Sequence, residues 1–268
     1  MMIKLLAIDL DHTCLNDHHR ISQETLDALN QLHQEGVMIV PTTGRALSCL
    51  PHDLNNIPFL TYVISSNGAR ITNVKSHEDL YRSEIKYEDV VSFLSKCQSY
   101  QVKKTLHLNH QYYIEGNMFY HIGRLIYGKD AKKAIAIKNM NTFIKETKKD
   151  VEEIQLFYFN QKTRNKLKTL LNDEPQLSSS YSDYYVEIYS KGTSKGNALK
   201  ILAKELHIKK EEIACIGDGE NDMSMFNVSG LRLAMGNAVD ELKAKADFIL
   251  PTNNQNGICE ALKYFRDE

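Results

Sequence analysis

Short, largely apolar runs that stop at polar or acidic residues recur in the first and last thirds of this chain. Lys4-Leu5-Leu6-Ala7-Ile8 is the first, Val37-Met38-Ile39-Val40 the second and Tyr62-Val63-Ile64-Ser65 the third. Each has the length of a strand and none alternates, which predicts strands buried on both faces of a parallel sheet. Between the first two lies a helical pattern. Ser22 suits its N-cap, Glu24 its first turn, Leu26, Leu29 and Leu32 one buried face, and Gly36 its end. The rhythm returns after Gly192: a helix over 194–206, a strand at 213–216, a short helix over 222–228, a strand at 231–235, a helix over 242–246, a strand at 248–250 and a closing helix over 258–265. Alternation of this kind predicts a parallel sheet with helices on both faces.

Residues 83–188 break the rhythm. They are rich in Lys, Tyr and Asn, with an amphipathic helix predicted over 87–99 and half-exposed strands at 104–108, 111–115, 154–159 and 184–189. Tyr189-Ser190-Lys191-Gly192 reads as a return linker. The expected organisation is an α/β doubly wound parallel-sheet core made of residues 1–82 and 189–268, with an α+β domain inserted at 83–188.

Composition narrows the function classes. At 268 residues the chain exceeds a typical single domain, and its 42% apolar and 25% charged residues are ordinary for a soluble globular protein. A net charge of −1 gives no reason to expect nucleic acid or an anionic membrane as partner. Five cysteines stand far apart without a CxxC pair, which argues against a disulfide framework or a zinc site. No apolar run reaches membrane-spanning length, and the first strand begins too close to Met1 for a signal peptide, so the cytoplasm is the expected compartment.

The candidate chemistry sits where strands should end. Asp9 and Asp11 follow the first apolar run, and Asp218, Glu220 and Asp222 follow the run at 213–216. In an open α/β sheet ligands gather at the carboxyl ends of the strands. Clustered acids there repel unless a proton or cation intervenes, and a hard, oxygen-seeking ion such as Mg²⁺ answers that need. The Asp pair is not a calcium loop, because Cys14 and Arg20 occupy the positions that need Gly and an acid. Gly217-Asp218-Gly219 is not a dinucleotide fingerprint, because Asp222 stands where the third glycine belongs. Gly192-Thr193-Ser194-Lys195-Gly196 has the wrong order for a P-loop. Thr42-Thr43-Gly44-Arg45, read as a strand end before a helix, suits an anion site. Lys195 opposes the dipole of the helix it begins, which hints at a role beyond helix stability.

Taken in order, Asp9-Leu10-Asp11 with Thr13, Thr43-Gly44-Arg45, Ser66-Asn67-Gly68, Lys195-Gly196 and Gly217-Asp218 with Asn221-Asp222 resemble the motif set of the Cof-type phosphatases of the haloacid dehalogenase superfamily. The resemblance spans nearly the whole chain and includes the insert. It implies that Asp9 is the nucleophile of an aspartyl-phosphate and Asp11 the general acid and base. It implies Mg²⁺ held by the Asp9 carboxylate, the Asp11 carbonyl and Asp218, with Asp222 orienting a water on the metal. It further implies that the Thr43 hydroxyl, the Gly44 and Leu10 amides, Lys195 and the Asn221 side chain bind phosphate. The insert would be a cap that selects the leaving group, with Tyr112, Tyr113, His107, His110 and His121 as candidate contacts. One departure stands out: His12 occupies a position where the family most often has Gly. A histidine tolerates a left-handed turn, and the alternative is that it touches substrate or tunes Asp11. The expected function is Mg²⁺-dependent hydrolysis of a small phosphomonoester, with sugar phosphates as candidates. A phosphomutase and a non-catalytic sugar-phosphate sensor are the rivals.

Overall fold

The structure, a computed structural model, describes residues 2–127 and 133–265. Along the chain the first elements are β1 (Leu5–Ile8), α1 (Gln23–Gln34), β2 (Met38–Pro41), β3 (Tyr62–Ser65), β4 (Arg70–Asn73) and β5 (Glu78–Arg82). Then come α2 (Tyr87–Lys96), β6 (Val102–Leu108), β7 (Gln111–Glu115), α3 (Asn117–Tyr127), β8 (Ile135–Ile137), α4 (Met140–Thr147), β9 (Glu153–Tyr158), α5 (Gln161–Asn172), β10 (Leu177–Tyr181) and β11 (Tyr185–Ser190). The last stretch holds α6 (Lys195–Glu205), β12 (Ile213–Gly217), α7 (Met223–Phe226), β13 (Leu231–Ala234), α8 (Asp240–Lys243), β14 (Phe248–Ile249) and α9 (Gly257–Ala261). The chain divides into two units: Met1–Gly44, Pro51–Tyr81 and Ser194–Glu268 form the first, Arg45–Leu50 and Arg82–Thr193 the second.

In the first unit the apolar runs of the two chain ends pair with each other. The five-stranded sheet has the order β14-β13-β12-β1-β2, and every pairing in it is parallel. β1 and β12 are buried along their whole length, which is why their sequences show no alternation. Ser22 caps α1, its hydroxyl accepting from the Thr25 N–H, and Ala28, Leu29 and Leu32 are its buried face. The third apolar run departs from expectation. β3 joins β2 through a single parallel bridge, Thr42 to Ile64, and otherwise folds back as an antiparallel hairpin with β4 in a small sheet ordered β3-β4-β5. A turn only three residues long, Ser66–Gly68, makes that reversal possible, with Asn67 at φ 52° and Gly68 at φ 97°.

The second unit carries a six-stranded sheet of order β10-β11-β9-β6-β7-β8, antiparallel except for β7 with β8. One face is apolar. Leu106, Leu108, Ile154, Leu156, Val186 and Ile188 pack there under Phe93 of α2, Ile144 of α4 and Leu167 of α5. Strand alternation places Thr105, His107, Tyr112, Glu153 and Gln155 on the opposite face, and they are linked there. The Thr105 and Tyr112 hydroxyls each donate to Gln155 Oε1 at 3.0 Å, and Gln155 Nε2 donates to Glu153 Oε1 at 2.7 Å.

His107 is 2% exposed, and burial pulls its imidazole down to about 3, even though Glu153 Oε2 lies 3.9 Å from its Nδ1. Below the ordinary value of 6.5 the unfolded chain takes up a proton that the folded chain refuses. Stability from the neutral ring is therefore complete above about pH 6.5 and lost as pH falls toward about 3, at about 1.4 kcal/mol per pH unit. The protection factors of the β6 and β9 amides, which are corrected for the intrinsic exchange rate, should fall between about pH 6.5 and 4.5, and His107→Gln should flatten that acid limb. An unchanged limb in the variant would assign the loss elsewhere.

Candidate active site

The parallel register Ala7–Cys215 and Ile8–Ile216 brings the carboxyl ends of β1 and β12 level, so the residues after them, Asp9 and Asp218, emerge on the same edge. From β1 the strand order runs one way to β2 and the other to β12, which makes this edge the topological switch point. The Asp9 N–H donates to the Ile216 carbonyl at 3.0 Å and fixes the first carboxylate to the neighbouring strand. Gly217 has a different task. A Cβ there would lie 2.5 Å from the Asp222 carboxyl carbon, so only glycine lets Asp222 fold back over the strand end.

Asp9, Asp218 and Asp222 each place a carboxylate oxygen within 4.8 Å of the others. Lys195 enters this cluster from the first turn of α6, where Ser194 accepts the Asn197 N–H at 3.0 Å. Its ammonium, 1% exposed, donates to Asp9 Oδ1 at 2.5 Å and to Asp222 Oδ1 at 2.7 Å. That double ion pair explains a lysine at the wrong end of a helix dipole. Asp222 Oδ2 accepts from the Asp218 and Gly219 N–H groups at 2.9 and 3.0 Å, so this oxygen shapes the loop while Oδ1 pairs with Lys195. Thr13 Oγ1 donates to Asp218 Oδ1 at 2.8 Å. Thr13 had no assigned role in the sequence reading, although its place two residues after Asp11 is a readable signal.

Burial pushes the Asp9 carboxyl well above its ordinary range. Lys195 pulls against it, while Asp222 and Asp218 push with it. Asp218 is raised by burial and by Asp222, against the Thr13 hydrogen bond. For Lys195 burial acts downward, but the Asp222 and Asp9 carboxylates prevail and hold the ammonium above its ordinary value. Three carboxylates around one ammonium leave an excess of negative charge. Lys195 engages Oδ1 of Asp9 and Thr13 engages Oδ1 of Asp218, while a carboxylate oxygen of each acid stays within 4.8 Å of the others. An all-oxygen donor set with surplus negative charge fits Mg²⁺. Among the described residues this is the group of three acids, histidines or cysteines able to hold a metal.

The turn after Asp9 is tight: the Cys14 and Leu15 N–H groups reach back to the Asp9 and Leu10 carbonyls at 3.3 and 2.8 Å. Leu10 is buried within it. Asp11 is half-buried with extended backbone (φ −69°, ψ 129°), and its carboxylate stands outside the group of three. His12 is left-handed, φ 58° and ψ 7°. Its side chain is exposed, 3.8 Å from Asp17 Oδ1, and its carbonyl accepts from Asn237 Nδ2 at 2.8 Å. A left-handed turn is what histidine supplies here in place of glycine. His12→Gly should therefore leave the pH–rate profile superimposable on the native one; a displaced limb would give the imidazole a chemical role. Cys14 is buried, and burial, with Asp9 and Asp53 nearby, pushes its thiol up to about 12, which makes it inert.

Thr43 and Gly44 follow β2. The Thr43 N–H donates to Ile64 O at 2.9 Å and its carbonyl accepts from the Asn67 N–H at 3.0 Å. The helix expected after Arg45 is absent: a three-residue turn, Leu47–Cys49, stands there, because Leu50-Pro51 cannot continue a helix. No helix dipole therefore serves this strand end. Asn221 Nδ2 donates to Asn67 Oδ1 at 3.1 Å. The first unit thus brings Asp9, Lys195, Asp218 and Asp222 into one cluster, and Thr43, Gly44 and Asn221 into a second centred on Asn67.

Of the side chains suggested for the insert, His107 and Tyr112 meet across the β6–β7 pair. Tyr112 and Tyr113 are on opposite faces of β7, Tyr112 against the His107 ring and Tyr113 against Phe143. His110 sits in the β6–β7 turn at φ 66°, and His121 lies on α3 beside Tyr120.

Residues 6–262 match the haloacid dehalogenase-like hydrolase family. The chain belongs to the haloacid dehalogenase-like hydrolases. Phosphatase YwpJ of Bacillus subtilis is 30% identical over 294 residues, covering 98% of this chain and 99% of the relative. The 5-amino-6-(5-phospho-D-ribitylamino)uracil phosphatase YwtE of the same organism is 29% identical over 288 residues, covering 99% and 98%. Among solved structures, a haloacid dehalogenase-like hydrolase from B. subtilis superposes with TM-score 0.87 at 28% identity, covering 98% of this chain and 100% of that one. The subclass IIB sugar phosphatase BT4131 superposes with TM-score 0.83 at 25% identity, covering 98% of both. The resemblance to Cof-type phosphatases, the doubly wound core with its α+β companion and the class of phosphoric monoester hydrolase all hold for this family member. Among the described residues no helix of this hydrolase is long and apolar enough to cross a membrane.

Proposed function

We propose that this hydrolase cleaves small phosphomonoesters, sugar phosphates among them, through an aspartyl-phosphate on Asp9 with Mg²⁺ as cofactor. One observation carries the reading: a buried carboxylate at the end of the central strand, held by a buried lysine and ringed by two further carboxylates. The names of two similar proteins, a sugar phosphatase and a phosphoribitylamino-uracil phosphatase, support the substrate class.

In the first step an Asp9 oxygen attacks phosphorus and the bond to the ester oxygen breaks, while Asp11 gives its proton to the departing alkoxide. In the second, Asp11 takes a proton from water, the water oxygen attacks phosphorus, and the bond to Asp9 breaks to release phosphate. Lys195, the Thr43 hydroxyl, the Leu10 and Gly44 amides and the Asn221 side chain would receive the negative oxygens of the phosphoryl group. Asp9, the Asp11 carbonyl and Asp218 would hold Mg²⁺, and Asp222 would orient a water beside it. When bound, the ion supplies the positive charge that lets a phosphate dianion approach an anionic nucleophile. The test is release of phosphate from p-nitrophenyl phosphate and a panel of sugar phosphates, with Mg²⁺ and after chelation. Turnover that appears only with the ion is expected. Undiminished turnover after chelation would remove the cofactor from the proposal.

A further inference from the structure

The motif Ser66-Asn67-Gly68 belongs to the resemblance but has no role in the chemistry above. We infer that this turn, through Asn67, is the positioning element of the phosphate site; the inference rests on the reading of Thr43, Gly44, Lys195 and Asn221 as phosphate ligands. Three separate contacts meet in it. The Asn67 N–H donates to the Thr43 carbonyl at 3.0 Å, which fixes the backbone from which the Thr43 hydroxyl and the Gly44 amide project. The Asn67 side chain presses on Gly44, since a Cβ built there would lie 3.1 Å from Asn67 Nδ2. Asn67 Oδ1 accepts from Asn221 Nδ2 at 3.1 Å.

That last bond determines what Asn221 shows to a ligand. A primary amide can turn end for end and present either N–H donors or a carbonyl oxygen. With Nδ2 held by Asn67, the amine end stays on the Asn67 side and its second N–H remains for an anion; released, the amide could offer Oδ1, which repels phosphate. Gly68 adds a fourth tie. At φ 97° it packs so closely on the Ser194 carbonyl that any Cβ would collide with it, which seats the turn against the residue that caps the Lys195 helix. Asn67 is 2% exposed with a left-handed backbone, a conformation that asparagine adopts more readily than most residues. Its contacts with Thr43, Gly44 and Asn221 are with residues read as phosphate ligands, so it acts through them.

Asn67→Gly keeps the left-handed backbone free of strain and removes only the amide. With Mg²⁺ present, kcat/KM for p-nitrophenyl phosphate should fall about 100-fold, the loss expected when a site is displaced by about 1 Å. The inhibition constant of inorganic phosphate should rise at least about 10-fold, one decade of the same loss. Asn221→Ala should cost a similar factor, and the double variant should lose clearly less than the product of the two single losses, because the Asn67–Asn221 bond is counted in both. A merely structural Asn67 would lower the melting temperature and give multiplying, independent losses. Native phosphate inhibition in Asn67→Gly, or losses that multiply, would overturn the inference. If the glycine variant fails to fold, Asn67→Asp keeps the shape and an acceptor for Asn221 but turns an oxygen toward Gly44. It should lose phosphate affinity, and retained affinity overturns the inference. Calorimetric binding of inorganic phosphate with Mg²⁺ separates this from the functional reading. A native protein that neither turns over nor binds phosphate ends both, whereas native binding that Asn67→Gly leaves unchanged ends only the role of Asn67.

Discussion

Asp9→Asn is expected to abolish phosphate release, with kcat reduced by on the order of 10⁴-fold or more, since an amide cannot accept the phosphoryl group and nucleophile losses of this size are typical. The change is nearly isosteric and removes one negative charge from a site that holds an excess of them. Burial, Asp222 and Asp218 all disfavour the charged Asp9 carboxylate, so the melting temperature of the variant should equal or exceed the native one. The combination decides the role: a folded, equally stable protein without turnover identifies a chemical group. Native turnover in Asp9→Asn would remove Asp9 as nucleophile, whereas inactivity accompanied by a low melting temperature would mean only that the fold had failed.

Lys195→Met should have the largest effect on stability. The methionine fills much of the volume but leaves the carboxylates of Asp9 and Asp222 buried without their ammonium partner. Removing one member of a buried ion pair costs about 3–5 kcal/mol, most of it from the charge left behind. Denaturant unfolding in the absence of metal ions should show that loss. Adding Asp222→Asn to Lys195→Met should return part of it, because the surplus charge is then smaller. Additive losses in the double variant would show that Asp222 and Lys195 are not energetically coupled.

Much of the first unit was legible because parallel strands buried on both faces are written as unbroken apolar runs. Leu5 to Ile8 and Ile213 to Gly217 could be placed, and with them the carboxylates that follow. The cap of α1 was equally readable in Ser22, and the helix expected over 194–206 is present as α6, with Ser194 as its cap. The second unit was harder for a physical reason. α5 buries only Thr163, Leu167 and Leu171, one narrow stripe in an otherwise charged and polar segment, and Asn160, which caps it, went unread. β10 reads Leu-Ser-Ser-Ser-Tyr and lies at a sheet edge, where a single buried residue suffices. α3, α4 and β8 were missed as well. β3 was recognised as a strand, but its turn back into a hairpin depends on left-handed Asn67 and Gly68, whose geometry the apolar pattern does not encode. The same limit hid the contacts of Asn67, because its partner Asn221 is 154 residues away.

The pairing of Leu5 with Ile213 sets an order of events during synthesis. During synthesis β1 has only β2 as a sheet neighbour until more than two hundred further residues have been translated. The intervening segment, with its own apolar core, is complete well before that. Long-range strand pairing closes slowly, and domains fold as units while the chain grows. A nascent chain arrested before β12 should therefore carry a protease-resistant middle segment and a protease-sensitive β1–β2 segment, and bring Asp9 level with Asp218 only after β12 has emerged.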